Sequence, residues 1–288
     1  MARPWSYHRG MDALRRPLAA LMFAAGTLLA APAARADAPA PARVDLVAAE
    51  TALVPGQTAW VALRQDLRPG WHTYWRNPGD AGEAALIDWR LPAGFAAGEV
   101  RWPLPERFVD GPVVSYGYGG RVLLPVAVTV PAGARAGDRV TLAATVEYVA
   151  CAEICIPLTA EVALDLPVAA AADAGPAAPA IAAARAREPK PFPGTASAQV
   201  TDDWVRLRLA GLGHLAGRKP WFLGHAWGQL DPGPAAAARA DGGDLVLTLA
   251  RGDLKGQPLA RLDGVLVWEE TDGTEGAWAV SAPAAPTN

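Results

Sequence analysis

The amino-acid sequence predicts an all-β protein made of two β-sandwich domains joined by an Ala/Pro-rich linker. Three observations predict it. Short apolar runs with a period near two recur from Val44 to Leu166, broken by Pro/Gly turns about every 8–15 residues, the rhythm of an antiparallel sandwich. No segment of that stretch keeps a helical stripe over three turns. Between residues 169 and 195 Ala and Pro dominate, with no aromatic until Phe192, and the β pattern then resumes.

Residues 1–36 read as a secretory signal. Arg15 and Arg16 supply a charged start, and Ala34-Arg35-Ala36 supplies small residues for cleavage. The apolar run between them, 18–31, is about 14 residues long where a bilayer span needs about 20. Either Met1 or Met11 can begin it. The first domain, 37–168, takes strands from the runs at 59–63, 71–75, 86–89, 122–130, 140–149 and 161–166. The linker, 169–195, has room for a short helix over 180–187, just after Pro179. The second β-domain, 196–288, has its runs at 198–209, 244–250, 264–269 and 276–280. Tryptophans in both halves are expected to anchor cores, with Trp71 and Trp75 the expected exceptions.

Removing the signal takes away five arginines and Asp12, leaving 21 cationic against 28 acidic residues and a formal charge of −7. That balance argues against nucleic acid and anionic lipid as partners. All three methionines (Met1, Met11, Met22) leave with the signal, which excludes a thioether copper site in the mature chain. An exported chain of this kind is soluble once the signal is cleaved and meets conditions in which disulfides persist.

Both cysteines, Cys151 and Cys155, fall in one short run. Residues four apart on an extended strand are roughly 13 Å apart, whereas a disulfide needs Cα atoms within about 7 Å. The chain therefore has to turn if the sulfurs are to pair, with Pro157 closing the turn. A bridge over so small a loop stabilises the fold by roughly 2 kcal/mol on the chain-entropy formula, little for a structural tie. A redox pair and a plain staple both remain open from spacing alone.

Four motifs then occur in order: Gly70-Trp-His-Thr-Tyr-Trp-Arg-Asn-Pro-Gly-Asp80, Trp102-Pro-Leu-Pro-Glu-Arg-Phe108, Ser115-Tyr-Gly-Tyr-Gly-Gly-Arg-Val-Leu-Leu-Pro125 and Tyr148-Val-Ala-Cys-Ala-Glu-Ile-Cys-Ile-Pro157. The set resembles the periplasmic N-terminal region of the DsbD family of thiol:disulfide interchange proteins, in particular the branch called ScsB, named for suppression of copper sensitivity. The resemblance spans essentially the whole mature chain, because that branch carries a second β-domain before its membrane part. It implies an immunoglobulin-like first domain in the periplasm, no cofactor, and electrons passed from an inner-membrane relay to periplasmic thioredoxin-like partners. It further implies that Cys151 and Cys155 are the redox pair and that Cys155 forms the mixed disulfide. His72 and Tyr74 would lie beside the sulfurs, and Phe108, Tyr116 and Tyr118 fall in the segment that caps them. The membrane relay and the thioredoxin-like domain of the full-length pattern do not occur in this sequence, so a separate membrane protein is expected to supply electrons, or the chain is a split or truncated form.

No Lys or Arg lies between the cysteines, and Glu153 with its apolar neighbours disfavours a thiolate, so reaction is expected mainly within a docked complex. Glu153 is either a solvated turn residue or a proton carrier. Two other readings of the pair stay open: Cu(I) held by the two thiolates, and an interaction module with an inert disulfide.

Overall fold

The structure, a computed structural model, describes residues 40–233 and 237–287; the signal expected at 1–36 lies outside the described residues. The first half holds β1 (Ala42–Ala48), β2 (Thr58–Leu67), β3 (His72–Gly79), β4 (Leu86–Arg90), β5 (Ala96–Val100), β6 (Glu106–Asp110), β7 (Val113–Gly119), β8 (Arg121–Thr129), β9 (Arg139–Cys151) and β10 (Cys155–Pro167). A four-stranded sheet runs β1-β2-β8-β5. A six-stranded sheet runs β10-β9-β3-β7-β6, with β4 also paired to β9. Alternation along β2 shows why they pack: Ala59, Val61, Leu63 and Leu67 point into a core shared with Trp75, Leu142, Val146 and Tyr148 of the facing sheet. Trp75, expected to escape the core, is 2% exposed, whereas Trp227 is 52% exposed. The reason is register: Trp75 falls on the inward face of β3.

The Ala/Pro-rich segment carries α1 (Ala178–Ala186), with Pro179 in its first turn, where a missing N–H costs nothing. Its Ile181 is buried against Ala62 and Leu123 on the outer face of the four-stranded sheet, and the Arg185 guanidinium lies 3.6 Å over the Trp60 ring.

The second half comprises β11 (Lys190–Pro191), β12 (Ala196–Val200), β13 (Trp204–Leu209), β14 (Trp221–Gly224), β15 (Ala237–Asp241), β16 (Asp244–Ala250), β17 (Arg261–Glu269) and β18 (Glu275–Pro286), joined in one eight-stranded sheet. The run read as one strand at 198–209 is a hairpin, β12–β13, turned at 201–203. Strand β18 pairs with β17 along most of its length and with β12 at its end, so a single sheet encloses its own core. Strand β17 is apolar on both faces for a reason. Leu262, Leu266 and Trp268 enter this second core, while Val265 and Val267, with Leu223 of β14, join the core of the first half.

Candidate functional site

Strands β9 and β10 form one long hairpin, in register from Cys155 opposite Cys151 to Pro167 opposite Arg139. Ala152, Glu153 and Ile154 make the turn, closed by the Ala152 N–H donating to the Ile154 carbonyl at 3.1 Å. The reversal brings the two Cα atoms to 4.1 Å, and the sulfurs are joined. Pro157 does not close this turn. It lies two residues into β10, the sheet's edge strand, where a missing N–H is tolerated. The two sulfurs differ in access: Cys151 is 2% exposed, Cys155 is exposed, and Ile154 between them is 66% exposed.

Strand β3 runs beside β9, with His72 opposite Cys151. Period-two alternation puts Tyr74 on the same face. Its hydroxyl donates to Cys151 Sγ at 2.7 Å and lies 3.6 Å from Cys155 Sγ. Burial raises the Tyr74 phenol above its ordinary pKa, so it stays a donor at neutral pH. Burial lowers His72, which is neutral there. The His72 ring meets Tyr74 edge-on at 5.3 Å and stacks on Phe108 at 4.4 Å, with 15° between the planes.

Which aromatic faces the His72–Tyr74 side follows from the register of the β6–β7 hairpin. Phe108 pairs with Ser115, Glu106 with Gly117, and Gly119 with His72, so Phe108 stands on the face that carries His72 and Tyr74. Tyr118 pairs with Thr73 and Tyr116 with Arg107, which puts both on the opposite, core face. Their hydroxyls donate to the Pro103 carbonyl at 2.7 Å and the Pro232 carbonyl at 2.6 Å, and burial holds both phenols well above their ordinary range. Of the three aromatics expected near the sulfurs, the structure brings Phe108 to that side and carries Tyr116 and Tyr118 away from it. Gly117 is required here, because a Cβ would lie 1.9 Å from the Thr73 carbonyl oxygen and break the β3–β7 pairing. Glu153 is exposed in the turn.

Two residues that the sequence did not mark hold β3 and its neighbourhood. Asn77 is buried, donates from Nδ2 to the Gly224 carbonyl at 2.7 Å, and accepts the Gly79 N–H at Oδ1, 3.1 Å. It binds the end of β3 to the second half of the chain. Gly82, in the loop after β3, lies against the Tyr74 ring. Only their place in the Asn-Pro-Gly-Asp-Ala-Gly run hinted at a backbone irregularity. Further off, His225 packs on Trp75 at 5.6 Å and is driven to about 4 by burial, helped by Arg76 and opposed by Asp263. His214 sits in a short 3₁₀ turn. Among the described residues no three His, Cys, Asp or Glu side chains group as metal ligands. Nor is any helix there long and apolar enough to cross a membrane.

The first half is thus an immunoglobulin-like sandwich with one exposed and one buried sulfur joined at a hairpin tip. Residues 43–167 match the family described as thiol:disulfide interchange protein DsbD, N-terminal, so this segment is an N-terminal domain of that family. Among solved structures, the N-terminal periplasmic domain of ScsB from Proteus mirabilis is 18% identical, with a TM-score of 0.55 over 85% of this chain and 92% of that one. That likeness concerns the fold, and it extends over both halves. A protein of unknown function from Porphyromonas gingivalis W83 is 13% identical, with a TM-score of 0.26 over 85% of this chain and all (100%) of that one. BcpA, the major pilin subunit of Bacillus cereus, is 9% identical, with a TM-score of 0.25 over 85% and 69% of the two chains. Both scores are too low to bear on the fold. No curated protein matches the sequence.

Proposed function

We propose that this protein carries out thiol–disulfide exchange in the periplasm, with Cys155 as the sulfur that joins partners and Cys151 as the sulfur that resolves. The observation that carries the reading is the asymmetry of the pair: Cys155 is open to an incoming group, while Cys151 is buried beneath the Tyr74 hydroxyl. From the reduced pair, the Cys155 thiolate attacks one sulfur of a partner disulfide. A Cys155–partner disulfide forms, and the partner's other sulfur leaves as a thiolate and takes a proton. The Cys151 thiolate then attacks Cys155 Sγ, the pair closes, and the second partner sulfur leaves. Two electrons have passed to the partner. Run in reverse, a partner thiolate attacks Cys155 of the closed pair and Cys151 departs as a thiolate. The Tyr74 O–H already points to the atom on which that charge develops, and it needs no reorganisation.

The stack of Phe108 on His72 stands on the face that carries Tyr74, and the exposed Cys155 is the point of entry. No cation lies in the turn to acidify Cys155, so exchange runs mainly within a docked complex, where the partner's thiolate or local field assists. The family match over residues 43–167 fits thioredoxin-like periplasmic proteins as acceptors and a membrane electron relay as donor. The test is mixed-disulfide trapping in cells. Cys151→Ser accumulates covalent partner adducts through Cys155, and Cys155→Ser accumulates none. Equal behaviour of the two variants on non-reducing gels removes the division of roles.

A further inference from the structure

The loop from β3 to β4 presents bare backbone to the sulfur site. A Cβ built on Gly82 would lie 2.0 Å from Tyr74 Cζ, and 2.2 and 2.4 Å from the two Cε atoms beside it. Cζ is the ring carbon that carries the hydroxyl, and that hydroxyl lies 2.7 Å from Cys151 Sγ. Gly82 also has φ of +87°, a conformation that side-chain-bearing residues rarely adopt. The loop is anchored on both sides of Gly82. Asp80 grips β7 twice, its N–H donating to the Val114 carbonyl at 2.9 Å and its carboxylate accepting the Val114 N–H at 2.8 Å. At the other end Ala85 is buried in the core. Any side chain at 82 therefore displaces the phenol rather than the loop.

We infer that Gly82 is a positioning residue for the exchange step: the missing side chain at this position lets the Tyr74 hydroxyl reach Cys151 Sγ and stay there. The inference rests on the exchange reading proposed above. When a thiol attacks Cys155 Sγ, the Cys151–Cys155 bond breaks and its electron pair goes to Cys151, whose new charge is met by the Tyr74 O–H. Clearing a Cβ that lies 2.0 Å from Cζ moves the phenol by roughly 1.5 Å, which ends the short O–H···S contact at 2.7 Å. The loop is thus a second wall of the site, facing the phenol tip, while Phe108 and His72 form the first.

The experiment measures reduction of the oxidised protein by dithiothreitol from pH 6 to 9, in stopped flow. The wild type, Gly82→Ala, Tyr74→Phe, the Gly82→Ala/Tyr74→Phe double variant and Gly70→Ala are compared. Gly70 has φ of +82° with nothing within 4 Å of a built Cβ, so its substitution carries the backbone cost without the clash. Gly82→Ala and Tyr74→Phe are each expected to slow reduction about tenfold, the double variant no more than either single one, and Gly70→Ala to match the wild type. A wild-type rate for Gly82→Ala, or losses that multiply in the double variant, overturns the inference. If Gly82→Ala does not fold, its stability cost is measured again in a Tyr74→Ala background. A cost there no larger than that of Gly70→Ala supports the contact, and no relief overturns it. A folded wild type whose disulfide resists dithiothreitol refutes the exchange reading itself, and the stability comparison then decides the Gly82 contact separately.

Discussion

Replacing Tyr74 by Phe keeps the ring between Gly82 and His72 and removes the hydroxyl that touches Cys151 Sγ at 2.7 Å. In the oxidised protein that hydroxyl meets a neutral disulfide sulfur, a bond worth about 0.5–1 kcal/mol. When reduced Cys151 is ionised it meets a thiolate, and a hydrogen bond to a charged group is worth about 1.5–3 kcal/mol. The difference, about 1–2 kcal/mol, favours the reduced pair. For a two-electron couple about 30 mV corresponds to 1.4 kcal/mol, so Tyr74→Phe is expected to lower the reduction potential by about 20–45 mV. The equilibrium with a dithiol buffer then shifts about 5- to 30-fold toward the disulfide. Redox titration in mixtures of oxidised and reduced dithiothreitol, followed by alkylation and mass measurement, gives the potential directly. The shift is largest at alkaline pH and shrinks as Cys151 becomes protonated. An unchanged or raised potential refutes the argument that the phenol serves the reduced state.

Phe108→Ala removes a stack worth about 0.5–1.5 kcal/mol and is expected to speed reduction by dithiothreitol about 2- to 12-fold without changing the potential; an unaltered rate means that Phe108 does not limit access. Asn77→Ala strands the Gly224 carbonyl and the Gly79 N–H in buried surroundings, at a cost of about 2–4 kcal/mol. Calorimetry should show the melting point fall by about 5–15 °C, and a fall under about 2 °C contradicts this bracing role. His225 has a folded pKa of about 4 against 6.5 when unfolded, so the unfolded chain binds more protons between those values. Stability is full above pH 6.5 and declines as pH falls toward about 4. Denaturant titrations over that range should show His225→Gln to be flatter than the wild type, and parallel curves exclude His225 as the cause.

Much of this could be read directly from the chain. The runs at 140–149 and 161–166 foretold β9 and β10, and two cysteines four apart at their junction demanded a turn. The short helix was foreshadowed by Pro179 before an Ala run. What the sequence could not give was register. Whether Phe108 or Tyr116 faces the sulfurs depends on which strand positions oppose one another across β6, β7 and β3, and a shift of one residue exchanges the two faces. The same holds for Trp75, which looked available in the sequence and is sealed inside. Gly82 and Asn77 act through distant neighbours, the ring of Tyr74 and the backbone at Gly224, and no local pattern encodes such meetings.

The hairpin that carries the cysteines has one more consequence, for the order in which the chain folds. Its ladder pairs residues close in sequence, so it can zip within microseconds, long before β3 and β7 arrive from far along the chain. Oxidation can therefore take place on a nascent ladder, and correct pairing needs no isomerase search. Opening the bond later releases only three intervening residues, which leaves the thirteen-residue strands zipped while electrons come and go.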